Sequence, residues 1–303
     1  MVTQHRFSIG SPENCIALVQ WGENKPPALL LHGTGFCADV WDEFARDLAS
    51  DYTVYAVDRR GHGESHKPAA GHYHFVDYAD DLRRVIETLD LRGIYGIGHS
   101  AGATDLLLSA KLLPSRFTRL FVMEPTVMDP RAARDADLSE WGNNAVYGVL
   151  RRQAEFDSHD AAFTRFRAAP AFADWTEISL RTFIQRGFAP HENGRVRLLC
   201  TPETESAILR PIIEAMEQVY RGDARGSPFP WLTELDLPVR VATAEKSWPI
   251  YKEMASRTVA LVRGAGTLKF DGYGHCVVQE APQLVLQAVR DFANVARDPI
   301  QNE

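Results

Sequence analysis

No apolar run in this chain reaches the roughly 18 residues that a bilayer-spanning helix needs, so no membrane segment is expected. A basic excess is also missing. The 33 Lys and Arg stand against 40 Asp and Glu, a net charge of −7, and no basic patch is visible. That balance argues against nucleic acid or an anionic membrane as partner. The opening residues Met1-Val2-Thr3-Gln4-His5-Arg6 carry no apolar h-region, so no secretory signal is expected. Cysteines are few: Cys15, Cys37, Cys200 and Cys276, without metal-type spacing. Reduced thiols in a cytoplasmic protein is the simple reading of that usage. There is no repeat and no low-complexity segment. With 45% hydrophobic and 24% charged residues, the 303-residue chain suits one large α/β domain, or one domain plus an insertion.

The most informative stretch that is present reads Gly98-His99-Ser100-Ala101-Gly102. A serine hydroxyl is a poor nucleophile and must be both exposed and activated. A sharp strand-to-helix turn exposes it, and small flanking residues let the backbone bend that tightly. Gly-x-Ser-x-Gly alone is a weak signal. Its context strengthens it: an apolar run at 93–97 precedes it and a helix-like run at 101–113 follows, with Leu106, Leu107 and Ala110 on one face and Pro114 past its end.

Around this elbow the first ninety-odd and last seventy-odd residues alternate strand and helix patterns. Strands are expected at 15–21, 28–31, 53–57, 120–123, 238–244 and 267–270. Helices are expected at 40–48, at 78–89 with Leu82, Val85, Ile86 and Leu89 on one stripe, and at 281–296 with Leu284, Ala288 and Phe292 facing in. This alternation predicts a mostly parallel central sheet flanked by helices on both faces. Residues 128–232 break the rhythm with helix signals and many aromatics, among them Trp141, Tyr147, Phe156, Phe163, Phe166, Phe172, Trp175, Phe183 and Phe188. Asp174 and Glu177 read as a capping pair for a helix running to Gly187, and Asn193-Gly194 as a hairpin turn. The expected organisation is a core of 1–127 and 233–303 with a helical lid insertion at 128–232, whose aromatics mostly form the lid's own core while the rest line a pocket.

Two further segments fit the elbow. His32-Gly33-Thr34-Gly35 follows the strand at 28–31. A small-residue loop there can present the N–H of Thr34 to an oxyanion, and the residue after the nucleophile, Ala101, presents a second N–H. Gly272-Tyr273-Gly274-His275 lies between the last strand and the last helix. Of ten histidines, His275 is best placed to serve as general base, on a loop free to reach the hydroxyl.

Together with Asp58-Arg59-Arg60-Gly61-His62-Gly63-Glu64-Ser65, these segments resemble the α/β-hydrolase fold superfamily, serine-nucleophile branch, over nearly the whole chain. The resemblance implies an α/β-hydrolase fold with a lid and serine chemistry, and gives the 58–65 loop a structural role. It does not imply a substrate. It also exposes a departure. Members often carry an aspartate two residues beyond a Gly-Glu after the post-lid strand; the matching Ala244-Glu245-Lys246-Ser247 has a serine there. Some relatives, such as haloalkane dehalogenases, instead orient the histidine with a glutamate whose matching position is Glu124. Glu124 and Glu245 are therefore rival acids for holding the His275 tautomer.

The expected activity is cofactor-free hydrolysis of a small to medium carboxylic ester, or a related acyl or lactone substrate, through an acyl-enzyme on Ser100. A serine rather than aspartate at the elbow argues against the alkyl-ester branches. One alternative is carbon–carbon bond hydrolysis of a diketone with the same triad; another is a catalytically silent ligand-binding protein. The partner is a small molecule, and oligomeric state stays open. His62, His66, His72 and His74 invite a metal reading, but the segment reads as a loop entering a helix and no metal is expected. The arginines Arg151, Arg152, Arg165 and Arg167 fit solvated helix faces better than a subsite for an acidic substrate. Cys276 reads as pocket lining.

Overall fold

The computed structural model describes residues 2–69, 71–127, 146–220 and 229–295. The first part of the chain runs β1 (Gln4–Ile9), β2 (Ile16–Trp21), β3 (Pro27–Leu31), a 3-10 turn Ala38–Trp41 leading into α1 (Asp42–Leu48), β4 (Thr53–Val57), α2 (Phe75–Thr88), β5 (Ile94–His99), α3 (Ala101–Leu112) and β6 (Phe117–Met123). A middle segment holds β7 (Glu155–Phe156), α4 (His159–Arg167), α5 (Glu177–Arg186), β8 (Phe188–Pro190), β9 (Val196–Leu198) and α6 (Pro202–Tyr220). The chain returns through β10 (Val239–Ala244), α7 (Pro249–Leu261), β11 (Gly266–Phe270), α8 (Val277–Glu280) and α9 (Pro282–Val295).

Eight strands form one sheet in the order β1-β2-β4-β3-β5-β6-β10-β11. From β4 to β11 every pairing is parallel, and only β1 and β2 add antiparallel edges. The central strands are buried on both faces, so successive side chains feed two cores. Ala28 and Leu30 of β3 join the core formed with Trp41, Phe44 and Leu48 near α1 and with Val285, Val289 and Phe292 of α9. Leu29 and Leu31 point the other way, into the core of Leu82, Val85 and Ile86 of α2 and Leu106, Leu107 and Ala110 of α3. No described helix is long and apolar enough to cross a membrane.

β1 and α7 are among the elements absent from the sequence expectation. β1 is a half-exposed edge strand whose QHRFSI residues carry little apolar signal, and α7 fills the connection between β10 and β11. The inward stripe of α9 is also out of phase with the expected one. Val285, Leu286, Val289 and Phe292 are buried, whereas Leu284 is 44% exposed.

The segment between β6 and β10 is not purely helical. β7, β9 and β8 make a small antiparallel sheet, and Asn193 and Gly194, both left-handed, turn the β8–β9 hairpin. The cap of α5 is Thr176 rather than Asp174: the Thr176 hydroxyl accepts the Ser179 N–H at 3.0 Å. Phe156, Phe166, Phe172, Trp175, Phe183 and Phe188 pack on one another, as expected of the segment's own core. Phe36, from the loop after β3, joins them 5.2 Å from Trp175 and 5.6 Å from Phe183. The hydroxyls of Thr176 and Ser179 donate to Glu43 of α1, and the Thr176 N–H donates to Gln279 O. The segment is thus tied to the core beside the C-terminal ends of the strands. Trp141 lies outside the described residues.

Candidate active site

β3 lies between β4 and β5, so the chain passes to one side of it after β3 and crosses to the other side after β4. Such a switch point opens a crevice at the C-terminal strand ends. The residues that directly follow β3, β4, β5, β6 and β10 are His32, Asp58, Ser100, Glu124 and Glu245.

Ser100 sits at φ 55°, ψ −125° between β5 and α3. Its N–H donates to Met123 O at 2.8 Å, and its carbonyl accepts the Ala103 N–H at 3.0 Å. The turn requires its glycines. A Cβ at Gly102 would lie 2.5 Å from the carbonyl oxygens of Leu31 and His32, and one at Gly98 only 2.7 Å from Ala103 Cα. Five described non-glycine residues have positive φ: Asn24, Asp90, Asn193, Ser100 and Glu124. Asn and Asp tolerate that region. For Ser100 and Glu124 it is strain, on the order of 1–3 kcal/mol each, of a kind that concentrates at functional sites.

The loop after β3 lies directly over the elbow, since a Cβ on Gly33 would be 3.2 Å from Ser100 Cβ. Buried histidines shape this loop. His62 Nε2 accepts the Gly35 N–H at 3.0 Å, and His32 Nε2 accepts the Arg59 N–H at 3.1 Å. Each ring therefore carries its proton on Nδ1, which donates to Arg60 O and Gly33 O respectively. Burial holds both rings neutral, with His32 lowered to about 3 and His62 well below its ordinary value. The N–H of Gly35 is thereby occupied. Those of Thr34 and Ala101 meet no acceptor among the described residues. They are the two donors the sequence singled out.

His275 is held against His99, the residue before the elbow serine. His99 Nε2 donates to His275 O at 2.7 Å, and the two rings lie 4.6 Å apart. His275 Nδ1 lies 2.5 Å from Glu124 Oε2. Glu124 is 2% exposed, and its backbone N–H donates to Ala242 O at 2.9 Å. Its Oε1 accepts the Ala244 N–H and its Oε2 the Ser247 hydroxyl, both at 2.8 Å. With Nδ1 committed to Glu124, Nε2 is the nitrogen left to act as a base.

Glu245, the rival, is elsewhere. It is 53% exposed, its Oε2 accepts the Gly272 N–H at 2.7 Å, and Lys269 lies nearby. Its backbone follows β10 on a path that sends the side chain outward to the start of the histidine loop. That loop is held by Glu280 as well, which accepts the Gly274 N–H at 2.7 Å. Asp58 accepts the Ala38 N–H at 2.6 Å and the Glu64 N–H at 2.9 Å, while the Ser65 hydroxyl donates to Asp58 O. Burial pushes the Asp58 carboxyl up to about 6. These bonds pin the 58–65 loop to the chain around it.

The other residues of interest do not converge. His62 is buried under the Thr34 loop, His74 precedes α2, and no described His, Cys, Asp or Glu trio is grouped to hold a metal. Arg167 donates to the carbonyls of Phe172, Ala173 and Trp175, while Arg151 and Arg165 are exposed. Arg152 forks onto the buried Glu205, whose carboxylate lies against Gly35. Cys276 is buried, and burial pushes its thiol up to about 12. Three residues around the Glu124–His275 pair escaped the sequence reading. Ser247 was visible only as the residue in an aspartate's usual place. Tyr251, which stacks on the ring, and Glu280 left no local signal.

Comparison with known proteins gives concordant results. The family model described as alpha/beta hydrolase fold matches residues 26–282. A 2-(acetamidomethylene)succinate hydrolase of Mesorhizobium japonicum is 27% identical over 269 residues, 88% of this chain and 87% of that protein. A non-heme chloroperoxidase of Streptomyces lividans is 38% identical over 113 residues, 36% of this chain and 41% of that one. Among solved structures, E-2-(acetamidomethylene)succinate hydrolase superposes with TM-score 0.78 at 22% identity, covering 97% of this chain and all (100%) of that one. The sheet order, the strained serine between β5 and α3 and the family match over most of the chain lead to one assignment: this protein belongs to the α/β-hydrolase fold family.

Proposed function

We propose that the protein is a serine hydrolase of carboxylic esters or related acyl substrates, working through an acyl-enzyme on Ser100. The observation that carries this reading is the 2.5 Å contact of His275 Nδ1 with the buried Glu124, with the His275 ring 4.6 Å from that of His99, the residue before the strained elbow serine. Glu124 fixes the ring tautomer, so Nε2 takes the Ser100 proton as the hydroxyl attacks the carbonyl. The imidazolium then hands that proton to the leaving group. The free N–H groups of Thr34 and Ala101 hold the oxyanion. Water, deprotonated by the same nitrogen, releases the acid and regenerates Ser100. No step calls for a cofactor. The segment 128–232 acts as a lid over the strand ends, and its tie to Glu43 and its packing on Phe36 support that role.

One observation favours a second substrate class for the same machinery. The Mesorhizobium japonicum relative, aligned over most of both chains, bears a name describing hydrolysis of an acetamido compound, so amide-type acyl groups belong in the test. Intact-mass analysis after treatment with a serine-directed fluorophosphonate is the deciding experiment. An adduct on Ser100, absent in Ser100→Ala, is the expected result. A folded protein that gives no adduct overturns the proposal and leaves ligand binding without turnover. Turnover of p-nitrophenyl esters, acetamido-alkenes and vinylogous diketones then ranks ester, amide and carbon–carbon cleavage.

A further inference from the structure

Glu124 grips His275 at one edge only. A single edge contact leaves the ring free to swing about that bond, so its faces also need support. One face meets His99 at a tilt of 51°. Tyr251 of α7 stacks on the ring, with centroids 4.0 Å apart and planes only 15° from parallel. Trp248, the α7 N-cap and 63% exposed, stacks on Tyr251 in turn at 6.4 Å. Ser247, bonded to Glu124, immediately precedes this cap. The start of α7 thus serves the acid and the base together.

We propose that Tyr251 is a positioning residue for His275: its ring face keeps the imidazole in line with Glu124 and stabilises the imidazolium over the imidazole. An aromatic face is the negative part of the ring quadrupole, and a cation within about 6 Å of its centroid is attracted to it. The neutral ring gains less. Because the charged ring forms during each half-reaction, the stabilisation is larger in the transition state than in the ground state, and it raises kcat more than it lowers KM. The catalytic part of this inference rests on the triad reading above; the stacking part does not.

The groups around the ring are few. Glu124 reaches it from the end of β6, His99 from β5 and Tyr251 from α7, while Cys276 and Glu280 lie on its own segment. Burial keeps His99 neutral, and holds the Tyr251 hydroxyl and the Cys276 thiol up at about 12. The Tyr251 hydroxyl has no hydrogen-bond partner among the described residues, so the ring and not the hydroxyl carries the effect.

Three variants of the full chain test this: Tyr251→Leu, which keeps bulk without a π face, Tyr251→Phe, which keeps the face, and pentafluorophenylalanine at 251, which keeps the shape and reverses the quadrupole. The first readout is the His275 ring titration by NMR, assigned with His275→Gln, which needs no substrate. The second is the pH profile of p-nitrophenyl acetate hydrolysis. In Y251L and the fluorinated protein the ring titration moves to lower pH than in the wild type, and kcat falls roughly three- to thirtyfold with KM little changed. Y251F retains the wild-type titration. If Y251L fails to fold, the isosteric fluorinated protein decides alone. A folded Y251L or fluorinated protein that titrates like the wild type overturns the inference. A shifted titration with no ester turnover in any variant, wild type included, leaves the stacking intact and counts against the ester reading instead.

Discussion

The ends of β6 and β10 are neighbours in the sheet, and each strand is followed at once by a glutamate. The two carboxylates have opposite fates. Glu124 adopts a left-handed backbone at φ 48°, folds into the crevice and is sealed by Ala244, Ser247 and His275. Glu245 continues past its strand, remains half-exposed and ties down Gly272. A strand-end carboxylate becomes a candidate acid only when the backbone turns it inward and other groups satisfy its remaining lone pairs. The serine at 247 completes this arrangement. At the place where an aspartate often stands in relatives, it donates a hydrogen bond to the acid at the neighbouring strand end.

The sharpest way to break the comparison is to neutralise each glutamate. Glu124→Gln should lower kcat/KM for an ester by about 10³–10⁴-fold, since the amide cannot hold the required tautomer. Glu245→Gln should lower it less than about threefold, because it loosens a loop without touching the ring. Equal losses in steady-state assays would erase the distinction. A subtler test exploits Ser247. Ser247→Ala removes one hydrogen bond to Glu124 and should lower kcat/KM about five- to tenfold. In a Glu124→Ala background, Ser247→Asp should recover at least about tenfold by moving the carboxylate to the β10 side. No recovery in a folded double variant would show that the β6 end alone can present the acid.

The smallest effect concerns a third strand-end carboxylate, Asp58 after β4. Burial holds it up to about 6, above its ordinary 3.8. Between those values the folded protein keeps a proton that the unfolded chain has lost. This contribution to stability is whole below about pH 4 and fades as pH rises through 6. Asp58→Asn should lack that slope. The Tm difference between wild type and variant, measured from pH 4 to 7, should change by a few °C in the variant's favour as pH rises. A constant difference would mean that Asp58 is ionised across the range.

Much of this was legible locally. The elbow at 98–102, the strand at 53–57 and the α2 stripe Leu82, Val85, Ile86 are written in contiguous residues, where turn geometry and periodicity leave their marks. β1 was not, because an edge strand with one solvated face carries little apolar pattern. Thr176 displaced Asp174 as cap by sitting one residue before the helix, a boundary shift that pattern reading resolves poorly. The β8–β9 hairpin was legible from its Asn193-Gly194 turn, but β7, which completes the small sheet, was not, because a two-residue strand shows no alternation.

The order of residues along the chain determined the architecture, the strained elbow serine and the histidine loop, since each depends on interactions among near neighbours. Tertiary structure alone set Glu124, and not Glu245, against His275 and brought Ser247 and Tyr251 beside that pair. Glu124 and His275 are 151 positions apart, and their meeting depends on which strands lie side by side and how each chain turns at its end. Those are properties of packing across the sheet, to which no single stretch of sequence has access.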